Sequence, residues 1–136
     1  KHATATWQGT GKAGQGSLST ETKTLENVPY NFVSRFEDGK QTNPEELIAA
    51  AHAGCFSMKL SFLLTDAGHA PELIETKCEV TLDAANGIIS KSHLSVNVKA
   101  GTITKEKFEE LVKTAKDECP VSKSLKAEIT YEAQLN

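Results

Sequence analysis

The sequence predicts an α+β fold, because two helical segments interrupt a series of strands without the regular alternation of a doubly wound sheet. Residue patterning places a hairpin first, then a long helix, two strands, a second helix and a final strand. The 136 residues suit one domain, which we expect to span residues 1–136. A chain of this size buries about two-thirds of its unfolded surface, so it needs no disulfide or metal to hold a core.

The longest helix is predicted between Asn43 and Gly68. Asn43 is a good N-cap, Pro44 suits the first helical position, and Glu46 stands where a capping-box acid is expected. Gly68 supplies the usual C-terminal stop. Apolar side chains at 3.6-residue spacing form one predicted buried face, which comprises Leu47, Ile48, Ala51, Cys55, Met58, Phe62 and Leu63. Because the rest of this helix is rich in Ala and Leu, we expect it to be central.

A second helix is predicted from about Lys105 to Asp117, with Thr104 as its cap. It must end near Cys119, because a residue that precedes proline disfavours the helical conformation. A short helical turn over residues 121–125 is expected next, with Cys119 as its cap and Pro120 in its first position.

The strands are predicted from apolar residues that alternate with period two. Near the N-terminus, Ala3–Trp7 and Ser17–Ser19 form a hairpin joined through glycines. Later strands cover Ile74–Leu82, Leu94–Val98 and Ala127–Leu135, each with one apolar face.

Composition excludes several classes of function. The net charge of −3 argues against a protein that binds nucleic acid through a basic face. We expect no membrane span, because no apolar run approaches the roughly 20 residues that one needs. The first residues also lack an apolar signal region. Three cysteines are too few for a disulfide scaffold and indicate a reducing, cytoplasmic compartment. There is no P-loop, dinucleotide-binding glycine turn or nucleophile elbow, so no cofactor is predicted.

The three thiols therefore become the candidates for chemistry. Cys55 lies within the long helix, where a packing role is the commoner use of a free cysteine. Cys119 precedes a helical turn, whose free N–H groups favour a thiolate, although a plain cap residue explains it equally well. Cys78 lies on the apolar face of a strand, which favours core packing.

Metal binding has only weak support. His52 and Cys55 are three residues apart on the long helix and can share a ligand face. A structural zinc site needs four Cys or His ligands, often in closely spaced pairs, and the chain has no second pair. No metal site is predicted.

Two segments resemble the OsmC/Ohr family of osmotically inducible proteins and organic hydroperoxide resistance proteins, most closely its OsmC branch. The first comprises Arg35-Phe36-Glu37 and the run TNPEELIAAAHAGCFSM at residues 42–58. The second is the run CPVSKSLKAEIT at residues 119–130. The resemblance implies antiparallel-rich sheets packed around a long central helix and a second helix, in an intertwined homodimer with active sites at the subunit interface.

The resemblance also implies a thiol-dependent peroxidase that reduces organic hydroperoxides and, more weakly, hydrogen peroxide. Carried over by motif, Cys55 attacks the peroxide and Cys119 resolves the product as a disulfide. Arg35 is expected to stabilise the Cys55 thiolate, and Glu45 to hold Arg35 in place. A small dithiol or protein thiol is the expected reductant, with no metal or other cofactor.

Physical chemistry supports most of this assignment. Glu45 and Cys55 are about 15 Å apart along the helix axis, so Glu45 must act through an intermediary such as Arg35. An apolar pocket of Ala, Met and Phe around Cys55 would suit alkyl hydroperoxides. The helix dipole instead favours Cys119 as the more acidic thiol, in conflict with the family assignment. The alternative function is a non-catalytic stress protein or a binder of lipid-like ligands with structural cysteines.

Overall fold

The computed structural model describes residues 1–136 as two compact units, residues 1–47 and 48–136. Each unit contains one three-stranded sheet, and the expected α+β class is confirmed. The longest helix begins in the first unit and continues through the second. That the whole chain acts as one domain stays a prediction.

The first unit is built on an antiparallel sheet of order β1-β2-β3. Strands β1 (Ala3–Gln8) and β2 (Gln15–Thr20) form the predicted hairpin. Strand β3 (Val28–Tyr30) and the one-turn helix α1 (Phe32–Phe36) were not predicted, because both are too short to show a periodic pattern. Gly9, Gly11 and Gly14 lie in the turn that joins β1 to β2.

Gly16 on β2 makes room for an aromatic contact across this sheet. It pairs with Trp7 on one side and Tyr30 on the other, and the two rings lie 5.4 Å apart between centroids. A Cβ at Gly16 would lie 2.5 Å from the Tyr30 ring and 2.6 Å from the Trp7 ring. Any side chain here would therefore displace the rings.

The second unit holds the remaining elements. They are the body of α2 (Pro44–Asp66), β4 (Pro71–Asp83), β5 (Ile88–Ala100), α3 (Lys105–Glu118), α4 (Pro120–Ser124) and β6 (Glu128–Leu135). The sheet order is β4-β5-β6, with β4 antiparallel and β6 parallel to the central strand β5. The three predicted strands and the second helix are confirmed.

Helix α2 begins and ends as its sequence predicts, with one difference. The Asn43 side chain accepts the N–H of Glu46 at 2.8 Å, but the Glu46 carboxylate accepts the Thr42 hydroxyl at 2.7 Å. Only half of the predicted capping box forms, because the preceding Thr42 hydroxyl takes the carboxylate. At the other end, Gly68 has φ +84° in a Schellman motif closed by the His69 N–H on the Leu64 carbonyl.

The predicted buried face of α2 is wrong in part. Met58 and Phe62 are 65% and 62% exposed in the single chain. The fully buried apolar residues of α2 are Phe56, Leu60 and Leu64, and they join a core with Leu94, Val96 and Val98 of β5 and Phe108, Leu111, Val112 and Ala115 of α3. Because α2 is apolar nearly all round, its sequence carries little information about which face meets the sheet.

Helix α2 also corrects the expectation about membrane-span length. Its 23 residues include an 18-residue window of mean hydropathy 1.5, long and apolar enough to cross a membrane, and 22% of that window is buried. This is weak evidence for a span, because the core helix of a soluble protein meets the same criteria.

Candidate active site

The structure brings two of the three cysteines into contact. Cys55, about three turns into α2, shares a hydrogen bond with Cys119 at the corner between α3 and α4. Cys119 is fully buried, whereas Cys55 is partly exposed. Pro120 produces this corner, because it keeps Cys119 out of the helical conformation after α3 and starts α4 at its own position. Two thiols that are far apart in the sequence are thus neighbours in the structure.

The environment of Cys55 combines opposing influences on its acidity. Partial burial raises the pKa of the Cys55 thiol above its ordinary value, and the neighbouring Cys119 thiol raises it further. The backbone N–H of Val121 opposes both by donating a hydrogen bond to Cys55. Val121 lies in the first turn of α4, where backbone N–H groups have no partner within the helix.

The start of α4 bonds to Cys55 and not to the Cys119 side chain. The helix dipole was expected to favour Cys119, but the Cys119 side chain makes no capping hydrogen bond to α4. The N–H group at the start of α4 serves Cys55 instead. Which of the two thiols is the more acidic stays a prediction, but chain order alone did not reveal that the start of α4 bonds to a thiol on another helix.

A buried network of hydrogen-bonded polar side chains lies next to the thiol pair. His52 is fully buried, with its Nδ1 atom 2.7 Å from the Ser92 hydroxyl and its Nε2 atom 2.7 Å from the Ser122 hydroxyl. Burial lowers the pKa of His52 below its ordinary value, so the imidazole is neutral near pH 7. The ring therefore joins α2 to β5 and to α4 without carrying a charge.

Cys78 lies at the Ser92 end of this hydrogen-bonded network. Its sulfur lies 3.2 Å from the Ser92 hydroxyl and packs against the hydrophobic core. Burial raises the pKa of the Cys78 thiol, and the Ser92 hydroxyl only partly offsets this effect. The predicted packing role of Cys78 is confirmed, and a buried thiol of raised pKa is a poor nucleophile.

The other two predicted site residues meet in the first unit. Arg35, at the end of α1, places its Nε atom 3.1 Å from Oε1 of Glu45 in the first turn of α2. Glu45 is buried, and its second oxygen, Oε2, has no hydrogen-bond partner. The Arg35–Glu45 pair expected from the sequence therefore forms, with one carboxylate oxygen left free for a further donor.

Helix α1 positions Arg35 through its own cap. The Asn31 side chain accepts the Ser34 N–H at 2.9 Å, and the Ser34 hydroxyl accepts the Asn31 N–H at 2.9 Å. An open cavity of about 440 Å³ lies beside this turn, lined by Trp7, Gly11, Lys12, Tyr30, Asn31, Phe32, Arg35 and Phe36. Four of these eight residues are aromatic, and two, Lys12 and Arg35, are cationic.

The structure argues against the His52–Cys55 metal hypothesis. Both ring nitrogens of His52 are engaged by serine hydroxyls, so neither faces a metal. No cluster of three or more His, Cys, Asp or Glu side chains is placed to hold a metal ion. The sequence interpretation considered His52 only as a ligand and missed its partners. The burial of Ser92 could have been predicted from the sequence, because Ser92 continues the alternating series of inward-facing β5 residues that includes Leu94 and Val96.

The sequence matches a known protein family over most of its length. A family model described as "OsmC-like protein" matches residues 37–134. The chain belongs to the OsmC-like family. Peroxiredoxin OsmC of Escherichia coli is 47% identical over 137 residues, which cover 99% of this chain and 96% of that protein. An organic hydroperoxide resistance protein-like protein of Staphylococcus aureus is 32% identical over 105 residues, 73% of this chain and 72% of its own.

Solved structures share the fold of this OsmC-like protein. The organic hydroperoxide resistance protein OhrB of Bacillus subtilis superposes with a TM-score of 0.64 at 24% identity, covering 100% of this chain and 98% of its own. An organic hydroperoxide resistance protein OsmC of Legionella pneumophila gives a TM-score of 0.67 at 22% identity, covering 100% and 97%. At these identities the likeness establishes the fold, which is the OsmC/Ohr fold that the sequence motifs implied.

Two pairs of predicted site residues therefore exist in this OsmC-like protein. Cys55 contacts Cys119 within residues 48–136, and Arg35 contacts Glu45 within residues 1–47. That the two pairs form one catalytic site stays a prediction.

Proposed function

We propose that this OsmC-like protein is a cysteine-based peroxidase that reduces organic hydroperoxides to alcohols and hydrogen peroxide more weakly, in defence against oxidative and osmotic stress. The observation that carries this proposal is the contact between a partly exposed thiol, Cys55, and a buried one, Cys119. A peroxidatic cysteine must meet the substrate, whereas its resolving partner needs only to meet the first sulfur. The names of the relatives support the same chemistry.

The proposed cycle has three balanced steps. The Cys55 thiolate attacks the distal peroxide oxygen, forming sulfenic acid and breaking the O–O bond, and the alkoxide takes a proton to leave as an alcohol. The Cys119 sulfur then attacks the sulfenic sulfur, forming the disulfide and releasing water. A small dithiol or protein thiol finally reduces the disulfide by exchange and is itself oxidised.

Arg35 and Glu45 are proposed to assist the first step. Arg35 is permanently charged and would offset the effect of burial on the Cys55 pKa. Glu45 holds the guanidinium through a bond to Nε, which leaves the other guanidinium nitrogens free for thiolate or peroxide. The free Oε2 atom of Glu45 is a second acceptor beside them.

A homodimer is proposed as the working assembly. Helix α2 leaves Met58 and Phe62 more than half exposed, and these apolar side chains lie four residues apart on one face. A second copy that covered this face would bury it and complete the apolar surroundings of Cys55, which the single chain leaves open. We further propose that the protein works in the cytoplasm, where reduced thiols persist.

Titration of thiols tests the peroxidase proposal directly. One equivalent of tert-butyl hydroperoxide should remove two thiols from each chain, and a dithiol should restore both. Mass spectrometry of the oxidised protein should show a Cys55–Cys119 bridge, with Cys78 still reduced. Cys55→Ser should abolish peroxide consumption, whereas Cys78→Ala is the matched control and should retain it. Native consumption by Cys55→Ser would refute the assigned roles.

A second candidate function is the binding of a lipid-like ligand without catalysis. The aromatic cavity of about 440 Å³ near Arg35 favours it, because such a cavity accepts an apolar body with an anionic end. If one equivalent of hydroperoxide leaves all three thiols intact while a fatty acid binds with measurable affinity, this second function replaces the first.

A further inference from the structure

His52 has no role in the three steps of the proposed catalytic cycle, although it lies beside both thiols. It lies three residues before Cys55 on α2, and its partner Ser122 lies three residues after Cys119 at the start of α4. The His52–Ser122 hydrogen bond and the Cys55–Cys119 contact therefore join the same two segments at neighbouring points. Both His52 and Ser122 are buried, so water does not compete for this bond.

The hydrogen bond is also held in place from behind. The Nδ1 atom of His52 bonds to Ser92 of the central strand β5, which orients the ring. A neutral imidazole with one donor and one acceptor nitrogen satisfies both serines at 2.7 Å. The ring thus holds the first turn of α4 against β5. This turn carries the Val121 N–H and directly follows Cys119 in sequence.

Alignment of these segments matters because resolution competes with further oxidation. Cys55 sulfenic acid and the Cys119 thiol combine to give a disulfide and one water molecule. A second hydroperoxide instead converts the sulfenic acid to sulfinic acid and is itself reduced to an alcohol. Any loosening of α4 lowers the local concentration of Cys119 at Cys55 and shifts this competition toward the irreversible product.

We propose that His52 is a positioning residue for resolution, which holds Cys119 within reach of Cys55 through its hydrogen bond to Ser122. This role rests on the peroxidase function proposed above. It assigns no contact with peroxide to His52, whose ring nitrogens are both occupied.

Removal of the Ser122 hydroxyl tests this role. In Ser122→Ala, disulfide formation after a pulse of tert-butyl hydroperoxide should slow by about tenfold, because a buried hydrogen bond is lost and His52 keeps an unpaired nitrogen. The sulfinic fraction of Cys55, measured by mass spectrometry, should rise in proportion.

Ser57→Ala is the matched control. It also removes a serine hydroxyl bonded at 2.7 Å, but that bond joins α2 to Thr76 of β4 and does not involve α4. Its resolution rate should equal that of the wild type. Equal resolution rates in Ser122→Ala and the wild type, or equal slowing in Ser57→Ala, would overturn the proposal.

Two replacements of the ring itself provide a second test that does not depend on Ser122. Gln places its amide near the position of Nε2, and Asn places its amide near Nδ1. His52→Gln should therefore keep the bond to Ser122 and resolve near the native rate, whereas His52→Asn should resolve slowly. Equal rates in the two variants would contradict a role through Ser122.

A measurement without peroxide separates this proposal from the peroxidase function. In glutathione redox buffers, the equilibrium between Cys55–Cys119 disulfide and dithiol reports the effective concentration of the two thiols. Ser122→Ala should lower this value by about tenfold relative to the wild type and Ser57→Ala. If the wild type ignores hydroperoxide but this difference appears, the peroxidase function fails and the alignment stands. If the wild type consumes hydroperoxide and no difference appears, the role of His52 fails alone.

Discussion

The backbone N–H of Val121 donates a hydrogen bond to the Cys55 sulfur, so the start of α4 serves a thiol on another helix. Cys119 adjoins the same helix start in sequence but makes no side-chain bond to it. The connection between α3 and α4 therefore supplies Cys55 with both a hydrogen-bond donor and a neighbouring thiol. This arrangement suits a cycle in which Cys55 is the thiolate and Cys119 follows.

Val121→Pro should remove this donor and raise the pKa of Cys55. Proline is tolerated in a first helical turn, and it lacks the N–H group that the sulfur accepts. The loss of a hydrogen bond to a thiolate should reduce the reactive fraction below the pKa by about tenfold. The rate of Cys55 alkylation by iodoacetamide against pH measures the shift. Val121→Ala keeps the N–H group and should retain the wild-type profile, so an equal shift in both variants would contradict the assignment.

Arg35→Ala should raise the pKa of Cys55 and slow peroxide consumption if Arg35 stabilises the thiolate. In that case a guanidinium at the sulfur would favour the thiolate, and its loss would leave the effects of burial and of Cys119 opposed by the Val121 N–H alone. Stopped-flow measurement of peroxide consumption against pH should show the midpoint move upward. Lys12→Ala removes the other cation of the same aromatic cavity and should leave the midpoint in place. An unchanged midpoint in Arg35→Ala would remove Arg35 from the site.

The folded protein should lose stability in mildly alkaline solution, in part through Cys78. Its thiol pKa is raised in the folded state, so above about pH 8.5 the unfolded chain releases this proton first. The unfolded state then binds fewer protons, and the free energy of unfolding falls as pH rises. Urea titrations under reducing conditions should show that Cys78→Ala lessens this fall, by up to about 1.4 kcal/mol per pH unit. An identical alkaline slope in both proteins would contradict the raised pKa.

Phe62→Glu should convert the proposed dimer into a monomer. A carboxylate on the apolar face of α2 would have to be buried without a partner in the assembled interface. Sedimentation velocity should show the mass of two chains for the wild type and of one chain for the variant. Ile88→Glu changes another apolar residue that is more than half exposed, at the start of β5, and should remain dimeric. A monomeric wild type would refute the dimer outright.

Gly68→Ala should destabilise the protein by about 1 kcal/mol, because Gly68 has φ +84° and ends α2 in a left-handed conformation. A Cβ at this position meets no atom within 4 Å, so the cost comes from the backbone alone. Gly101→Ala is the control, since Gly101 has equally open space and no positive φ. Chemical denaturation should separate the two variants, and equal stabilities would contradict the conformational cause.

The limits of α2 were predictable because Asn43 and Gly68 act on their own backbone neighbours, which lie next to them in sequence. The pairing of Arg35 with Glu45 was predicted through the family motif, and the contact is present. The one-turn helix that carries Arg35 was missed, although Asn31 and Ser34 have the three-residue spacing of a helix cap. The buried face of α2 was misassigned because apolar residues surround the helix and no periodicity distinguishes one side.

The sequence by itself determined the α+β class, the ends of α2 and α3, the family and the three thiols from which the chemistry had to come. These depend on local conformational preferences and on motifs of adjacent residues. Only the tertiary structure decided that the first turn of α4 serves Cys55, that His52 holds Ser122, and that Met58 and Phe62 stay exposed in a single chain. Such contacts join residues distant in sequence, and their direction follows from how helices and strands pack, which no local pattern encodes.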